Sequence, residues 1–382
     1  MQKPINNKFS SGPCSKYPGW NTDYLKENLH LLGRSHRSKE VQALINDVNN
    51  LSADLLGLPK DYKIAIIAGS DTGAFEAAMW NMLGAKPLDI IFFESFGKDW
   101  YKDVTQQLHL ENIREFSADF GKFPDIKDVN FNNDVVFTLN GTTSGVCFDH
   151  LDYIPDDREG LTFCDATSAI YSIPIDFSKL DVTSYSWQKS LGGEAQHGVL
   201  ILSPRAIERL NNFHPKRPIP KIYQLQNGKE FNAKVFDGSV INTTSTICLL
   251  DAFSVLSWIK NKGGANAMFE RVNKNYQVIS NAIDNSANFE NLCLEKEYQS
   301  KTSVCFTIKQ PWFKEASIEK QKEIINQIAK FLETEQVAFD IKGYKSAPPS
   351  FRVWCGLTIE SEDLEKLFNW FEHAYEIANK KR

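Results

Sequence analysis

Between residues 60 and 205 the chain repeats one pattern, a short apolar run followed by a longer mixed segment. The runs are KIAIIA at 63–68, LDIIFF at 88–93, DVVFTL at 134–139, LTFCD at 161–165, TSYSW at 183–187 and GVLIL at 198–202. Each is too short for a helix and rich in β-branched or aromatic residues, so each predicts a buried strand. Stretches such as Thr72–Leu83 and Trp100–Leu110 predict helices. Strands separated by helices are joined by crossovers, which restricts the chain to an α/β fold on a largely parallel sheet.

After Gly263-Gly264 the pattern changes. A helical stretch at 266–284 leads to a strand at 303–308, a helix at 317–334, strands near 337–341 and 351–354, and a terminal helix at 361–380. This order predicts a smaller α+β domain. With 382 residues the chain is too long for one ordinary core. The expected division is a large domain over 16–264 and a small one over 265–382, with residues 1–15 docking on the latter.

Composition narrows the function. The net charge of −5 comes from 43 basic and 48 acidic side chains spread along the sequence. No basic stripe marks a nucleic-acid partner. No apolar run is long enough to span a membrane, and the N-terminal MQKPINNKFSSG is too polar for a signal peptide. Seven scattered cysteines without a C-x-x-C pair predict reduced thiols in a cytoplasmic protein and no metal site.

Three features stand at predicted strand ends, where open α/β sheets place their ligands. The first is G-S-D-T-G at 69–73, where a strand turns into a helix. Backbone N–H groups left free there, with about half a positive charge from the helix dipole, suit a phosphate. The same residues also suit a plain turn in which Ser70 or Asp71 caps the helix. The second is Asp165, closing the strand LTFCD. A carboxylate there can keep a ring nitrogen protonated, or cap a helix. The third is Lys189 in S-Y-S-W-Q-K-S-L-G-G-E at 184–194. An ammonium at a buried strand end is costly unless paired or neutralised, and bonding to an aldehyde cofactor removes the charge. A solvated surface lysine is the alternative. Together the three fit pyridoxal phosphate, which needs a phosphate cradle, a carboxylate and an imine-forming lysine.

The sequence resembles the phosphoserine aminotransferase family, a branch of the class V, fold-type I pyridoxal-phosphate enzymes. The motifs, in order, are F-S-S-G-P at 9–13, S-H-R-S-K-E at 35–40, the 69–73 cradle, N-G-T-T-S-G at 140–145, C-D-A-T-S at 164–168, W-Q-K at 187–189, V-I-N-T at 240–243 and F-R-V-W at 351–354. The resemblance implies a seven-stranded, mostly parallel sheet in the large domain and pyridoxal 5'-phosphate as cofactor. It implies that Lys189 and Asp165 are the catalytic pair. Thr142 is implied near the ring hydroxyl and Trp100 stacked on the ring, although an ordinary core tryptophan is the alternative. Ser70, Asp71, Thr72 and Gln188 are implied at the cofactor phosphate. Asn242 and Thr243 are implied to reach the phosphate of a second subunit, hence a homodimer with shared sites.

For the substrate, Arg352 is implied to grip the α-carboxylate, a task that suits a bidentate guanidinium. Ser11, His36 and Arg37 are implied to line the substrate pocket, although a surface pair beside a helix is the alternative for His36 and Arg37. The implied reaction is amino transfer between O-phospho-L-serine and 2-oxoglutarate, giving 3-phosphohydroxypyruvate and L-glutamate in serine biosynthesis. Two departures stand out. Many members have Gly-Arg where this chain has Asp71-Thr72, and a carboxylate beside a phosphate is unfavourable unless it turns away. Tyr344-Lys345 stands where the family has a His-Arg pair. Rival readings are another class V activity, such as alanine–glyoxylate transamination or cysteine desulfuration, and a non-catalytic binding protein on the same fold.

Overall fold

A computed structural model describes residues 1–380 of the chain. Its large sheet contains β1 (Lys63–Ala68), β2 (Leu88–Phe92), β3 (Ile113–Ser117), β4 (Asp134–Thr138), β5 (Thr162–Asp165), β6 (Val182–Ser186) and β7 (His197–Leu202). Their spatial order is β1-β7-β6-β5-β4-β2-β3. All neighbouring pairs run parallel except those made by β7, which is antiparallel to both β1 and β6. Strands β2, β4, β5, β6 and β7 are buried throughout, which is why they read as continuous apolar runs.

The helices α1 (Lys39–Leu56), α2 (Ser70–Met82) and α3 (Ser95–Lys102) belong to the same half of the chain. Helix α3 begins five residues before the sequence suggests, and a wider π-type turn extends it through Asp103–Gln107. In this sheet the strand that sequence patterning missed is β3. Its residues, I-R-E-F-S, are partly exposed because it is the sheet edge and pairs only with β2. An edge strand carries polar residues for that reason.

Beyond them lie α4 (Thr246–Asn261) and α5 (Gly264–Asn285), meeting at Gly263, which adopts φ +104°. A three-stranded antiparallel sheet follows, with β8 (Phe289–Asn291), β9 (Ser303–Ile308) and β10 (Phe351–Trp354) in that order. Helices α6 (Ile318–Thr334) and α7 (Ser361–Lys380) accompany it. Phe289 sits at the centre of this second core, in ring contact with Phe306, Phe351, Phe368, Phe371 and Tyr375.

The strand expected near 337–341 does not form. Only single bridges join Phe339 to Lys8 and Lys342 to Phe351, and Asp340 turns the chain at φ +56°. The N-terminal segment is tied to this region. The backbone N–H groups of Ile5 and Asn6 donate to the Asp363 carboxylate, and Trp354 donates its backbone N–H to the Phe9 carbonyl. The Phe9 side chain is fully buried in the second core. Among the described residues no helix is long and apolar enough to cross a membrane.

The C-terminal ends of β1, β2, β4, β5 and β6 lie along one edge of the sheet. Gly198 on β7 sets how closely α2 approaches that edge, since a Cβ there would lie 2.1 Å from the Ser70 carbonyl oxygen. A backbone atom cannot swing aside as a side chain can. Gly198→Ala is therefore expected to cost about 1–3 kcal/mol through overpacking, read as a lower midpoint in equilibrium denaturation. An unchanged midpoint would show that α2 is free to shift.

Candidate active site

A cavity of about 360 Å³ opens at this edge, and Ser70, Thr72, Trp100, Thr142, Asp165 and Lys189 all border it. They arrive from several elements. Ser70 and Thr72 come from the turn after β1, where Gly69 (φ +91°) and Ser70 (φ +58°) both take left-handed backbone angles. For Ser70 that conformation costs about 1–2 kcal/mol, and such strain collects at functional turns. No side chain caps α2. The alternative in which Ser70 or Asp71 closes the turn is thus not realised, and the first-turn N–H groups have no side-chain partner.

Asp165 ends β5. Its Oδ1 accepts the Thr167 backbone N–H at 3.0 Å, and its Oδ2 accepts the Trp100 indole N–H at 3.2 Å. The carboxylate thus serves both as turn anchor and as cavity wall. Trp100 packs edge-on against Phe75, with ring centroids 4.8 Å apart, and keeps another face on the cavity. Asp71 turns its carboxyl towards Asp165, Ser184 and Thr167 instead of capping the helix. Burial, and then the Asp165 charge, push it well above the usual carboxylate range, which favours the neutral acid.

Lys189 follows β6 in the loop that returns to β7. The loop is pinned by Cys14 donating to the Gln188 carbonyl at 2.7 Å and by Gly192 donating to the Lys189 carbonyl at 2.9 Å. Gly192 (φ +60°) lies against the Ser15 carbonyl, where no side chain fits. The lysine is buried, contrary to the solvated alternative, and its Nζ lies 3.4 Å from Thr142 Oγ1 and 5.4 Å from the Phe96 ring centroid. Burial pulls the amine down to about 8. Cys14, Glu94 and Asp165 hold it up against that pull, while Arg352 pushes it further down.

The cavity is polar where a cofactor with a phosphate and a ring nitrogen needs it to be. Gln188 Oε1 and Thr167 Oγ1 are buried without hydrogen-bond partners and border the same space. With an uncapped helix terminus, a strand-end carboxylate and a depressed lysine, these donors and acceptors match pyridoxal phosphate.

Other expected residues lie further off. Ser11 is buried and accepts a hydrogen bond from Ser303 Oγ at 3.1 Å; that hydroxyl also has the Thr142 carbonyl at 2.7 Å. Arg352, on β10, holds its guanidinium 5.7 Å from the Tyr344 ring centroid and has a buried Nε without a partner. Lys345 Nζ lies 6.0 Å from the same ring. His36 is half-buried and Arg37 exposed in the turn before α1, while Asn242 and Thr243 are exposed in the segment before α4. None of these four borders the cavity. Sequence reasoning did not single out Gly12, Phe96 or Asn140, which do border it. Gly12 stands within the F-S-S-G-P motif, and a Cβ there would lie 3.0 Å from the Lys189 Nζ.

A family model described as Aminotransferase class-V matches residues 22–354. Phosphoserine aminotransferase of Methanosarcina mazei is 47% identical over 375 residues, covering 98% of each chain. Among solved structures, a phosphoserine aminotransferase from Cytophaga hutchinsonii superposes with TM-score 0.82 at 22% identity, over 98% of this chain and 99% of that one. An alanine–glyoxylate aminotransferase from Nostoc sp. reaches 0.77 at 16% identity, over 98% and 96%, and at that identity it shares the fold alone. The extent of the family match and the identity along almost the whole length agree with the cavity's chemistry: the chain belongs to the class V aminotransferases, in their phosphoserine aminotransferase branch.

Proposed function

We propose that this chain is a pyridoxal 5'-phosphate-dependent phosphoserine aminotransferase, moving the amino group of O-phospho-L-serine to 2-oxoglutarate. The observation that carries the reading is the meeting of Lys189, Asp165 and an uncapped helix terminus around one cavity. Residues 16–264 form the cofactor-binding domain, and 265–382 with the N-terminal segment form the smaller one. Two apolar cores support that division, although Met268, Val272, Cys293 and Leu357 pack in the first. The enzyme is cytoplasmic, in keeping with seven free cysteines.

When bound, the cofactor supplies an electron-accepting ring that stabilises negative charge at the substrate's α-carbon. The α2 N-terminus, Ser70, Thr72 and Gln188 hold its phosphate. Asp165, fixed by Thr167 and Trp100, keeps the ring nitrogen protonated. Trp100 would cover the ring, and Thr142, 3.4 Å from the Lys189 amine, would face its hydroxyl. Arg352 binds the α-carboxylate and thereby turns the α-hydrogen towards Lys189. Lys189 removes that proton as the neutral amine and returns it as the ammonium. Asp71, which also borders the cavity, would face Asp165 as the neutral acid.

A homodimer completes the site. Asn242 and Thr243, exposed in one chain, reach the partner's cofactor phosphate. His36 and Arg37 lie outside their own chain's cavity, which supports their serving the partner's substrate pocket with Ser11 nearby. Lys345 supplies the cation next to Arg352 in place of the family's His-Arg pair.

Three results test this reading. In Lys189→Ala, turnover and the lysine-linked absorbance of the bound cofactor should both vanish; wild-type transamination by this variant sinks the assignment. Burial disfavours the cationic amine, so Lys189 becomes a nucleophile at lower pH than a solvated lysine. Capture of pyridoxal phosphate by the cofactor-free protein should accordingly rise with pH to a midpoint near 8, and a midpoint at the ordinary 10.5 contradicts the buried site. Half-reaction spectra should show bleaching by phosphoserine well ahead of alanine. The reverse order would transfer the chain to alanine–glyoxylate chemistry.

A further inference from the structure

Glu94 takes no part in the chemistry above, yet it is a carboxyl group buried beside the cavity. It follows β2 and is the N-cap of α3, the helix that carries Phe96 and Trp100. Its Oε1 accepts the Gly97 backbone N–H at 2.7 Å. A serine or aspartate could do that much. The longer side chain also reaches out of the helix, where Oε2 accepts the Thr143 hydroxyl at 2.8 Å.

Thr143 is the neighbour of Thr142, the residue that contacts Lys189. Its Oγ1 accepts the Ser95 backbone N–H at 3.0 Å, so loop and helix are tied twice. Gly141 makes the approach possible, since a Cβ there would lie 3.0 Å from Glu94 Cγ and 2.8 Å from the Phe93 ring. The ties continue to the segment 344–346. Ser95 Oγ and Ser346 Oγ are 2.6 Å apart, and the rings of Phe96 and Tyr344 meet at 5.4 Å. Ser346 lies in the segment leading to Arg352.

Burying a carboxyl group is unfavourable unless its partners are well placed. Burial raises Glu94 to about 7, against which the Gly97 N–H, the Thr143 hydroxyl and Lys189 favour the charged form, while Asp165 opposes it. A plain cap avoids that cost, so the residue's worth lies in joining two elements.

We propose that Glu94 is a positioning residue for transamination, clamping the helix that presents Trp100 and Phe96 to the loop that presents Thr142 to Lys189. The proposal rests on the cofactor reading above, and its test separates the two. Glu94→Ala, Glu94→Gln and Thr143→Val are compared with wild type for amide hydrogen exchange over 95–102 without cofactor, and for the dissociation constant of pyridoxal phosphate. In Glu94→Ala the exchange should quicken and the dissociation constant rise, each about tenfold, with kcat falling more than KM changes.

Glu94→Gln keeps an acceptor for Gly97 and can donate to Thr143, so it should recover both quantities to within about threefold of wild type. Thr143→Val leaves the cap intact and cuts the outer tie; it should shift both quantities in the same direction as Glu94→Ala. A local cap alone would leave exchange over 96–102 unchanged in Thr143→Val, which by itself frees only the Ser95 N–H; wild-type exchange there in that variant overturns the clamp, as does a folded Glu94→Ala with unchanged exchange. If Glu94→Ala does not fold, Thr143→Val and Glu94→Gln decide by the same criteria. Should wild-type protein fail to bind pyridoxal phosphate, the cofactor reading fails, and the exchange measurements still judge the clamp.

Discussion

Removing an ammonium group from water costs several kcal/mol unless it is neutralised or paired, and the arrangement around Lys189 follows from that constraint. Among the described residues no carboxylate makes an ion pair with it at contact distance; its polar neighbour is the Thr142 hydroxyl at 3.4 Å. The amine is therefore left easy to deprotonate. The negative groups that face it stand back: Asp165 is engaged by Thr167 and Trp100, and Glu94 by Gly97 and Thr143. Were either to close on Lys189, the amine would be held as a cation and lose its nucleophilicity.

The same constraint explains the distribution of strain. Two consecutive left-handed residues, Gly69 and Ser70, turn the chain from β1 into α2 so that the helix starts at the cavity wall. Gly198 lets that turn press against β7, and Gly192 lets the lysine loop press against Ser15. Each is a point where backbone meets backbone and no side chain is tolerated. Cohesion of the rest of the sheet, by buried apolar strands, holds these positions in place.

The elements that carry chemistry were the legible ones. Buried strands announce themselves as apolar runs, and a lysine or aspartate directly after such a run stands out as Lys189 and Asp165 do. The edge strand β3 escaped because half-exposed I-R-E-F-S carries no hydrophobic period. Residues 337–341 are apolar for another reason: Val337, Ala338 and Ile341 fill the second core while Asp340 turns the backbone. Phe96 and Glu94 were invisible because their roles come from contacts with Tyr344 and Thr143, residues distant in sequence. His36, Arg37, Asn242 and Thr243 were named by resemblance alone, and none of them borders the cavity. No local pattern marks a residue whose place lies outside its own chain's cavity.

The reversal of β7 has a mechanical consequence. Had the strand after β6 been parallel, a helix would have intervened and Lys189 would have begun a long crossover. Instead residues 187–196 form a short return between two hydrogen-bonded strands, with Cys14 bonded to its crest. The backbone of Lys189 is thus a fixed post, and the flexible part is its four-carbon arm. In the proposed mechanism a proton carried on that arm is delivered within reach of a backbone that the sheet holds still, so its range is set by the side chain and not by loop motion.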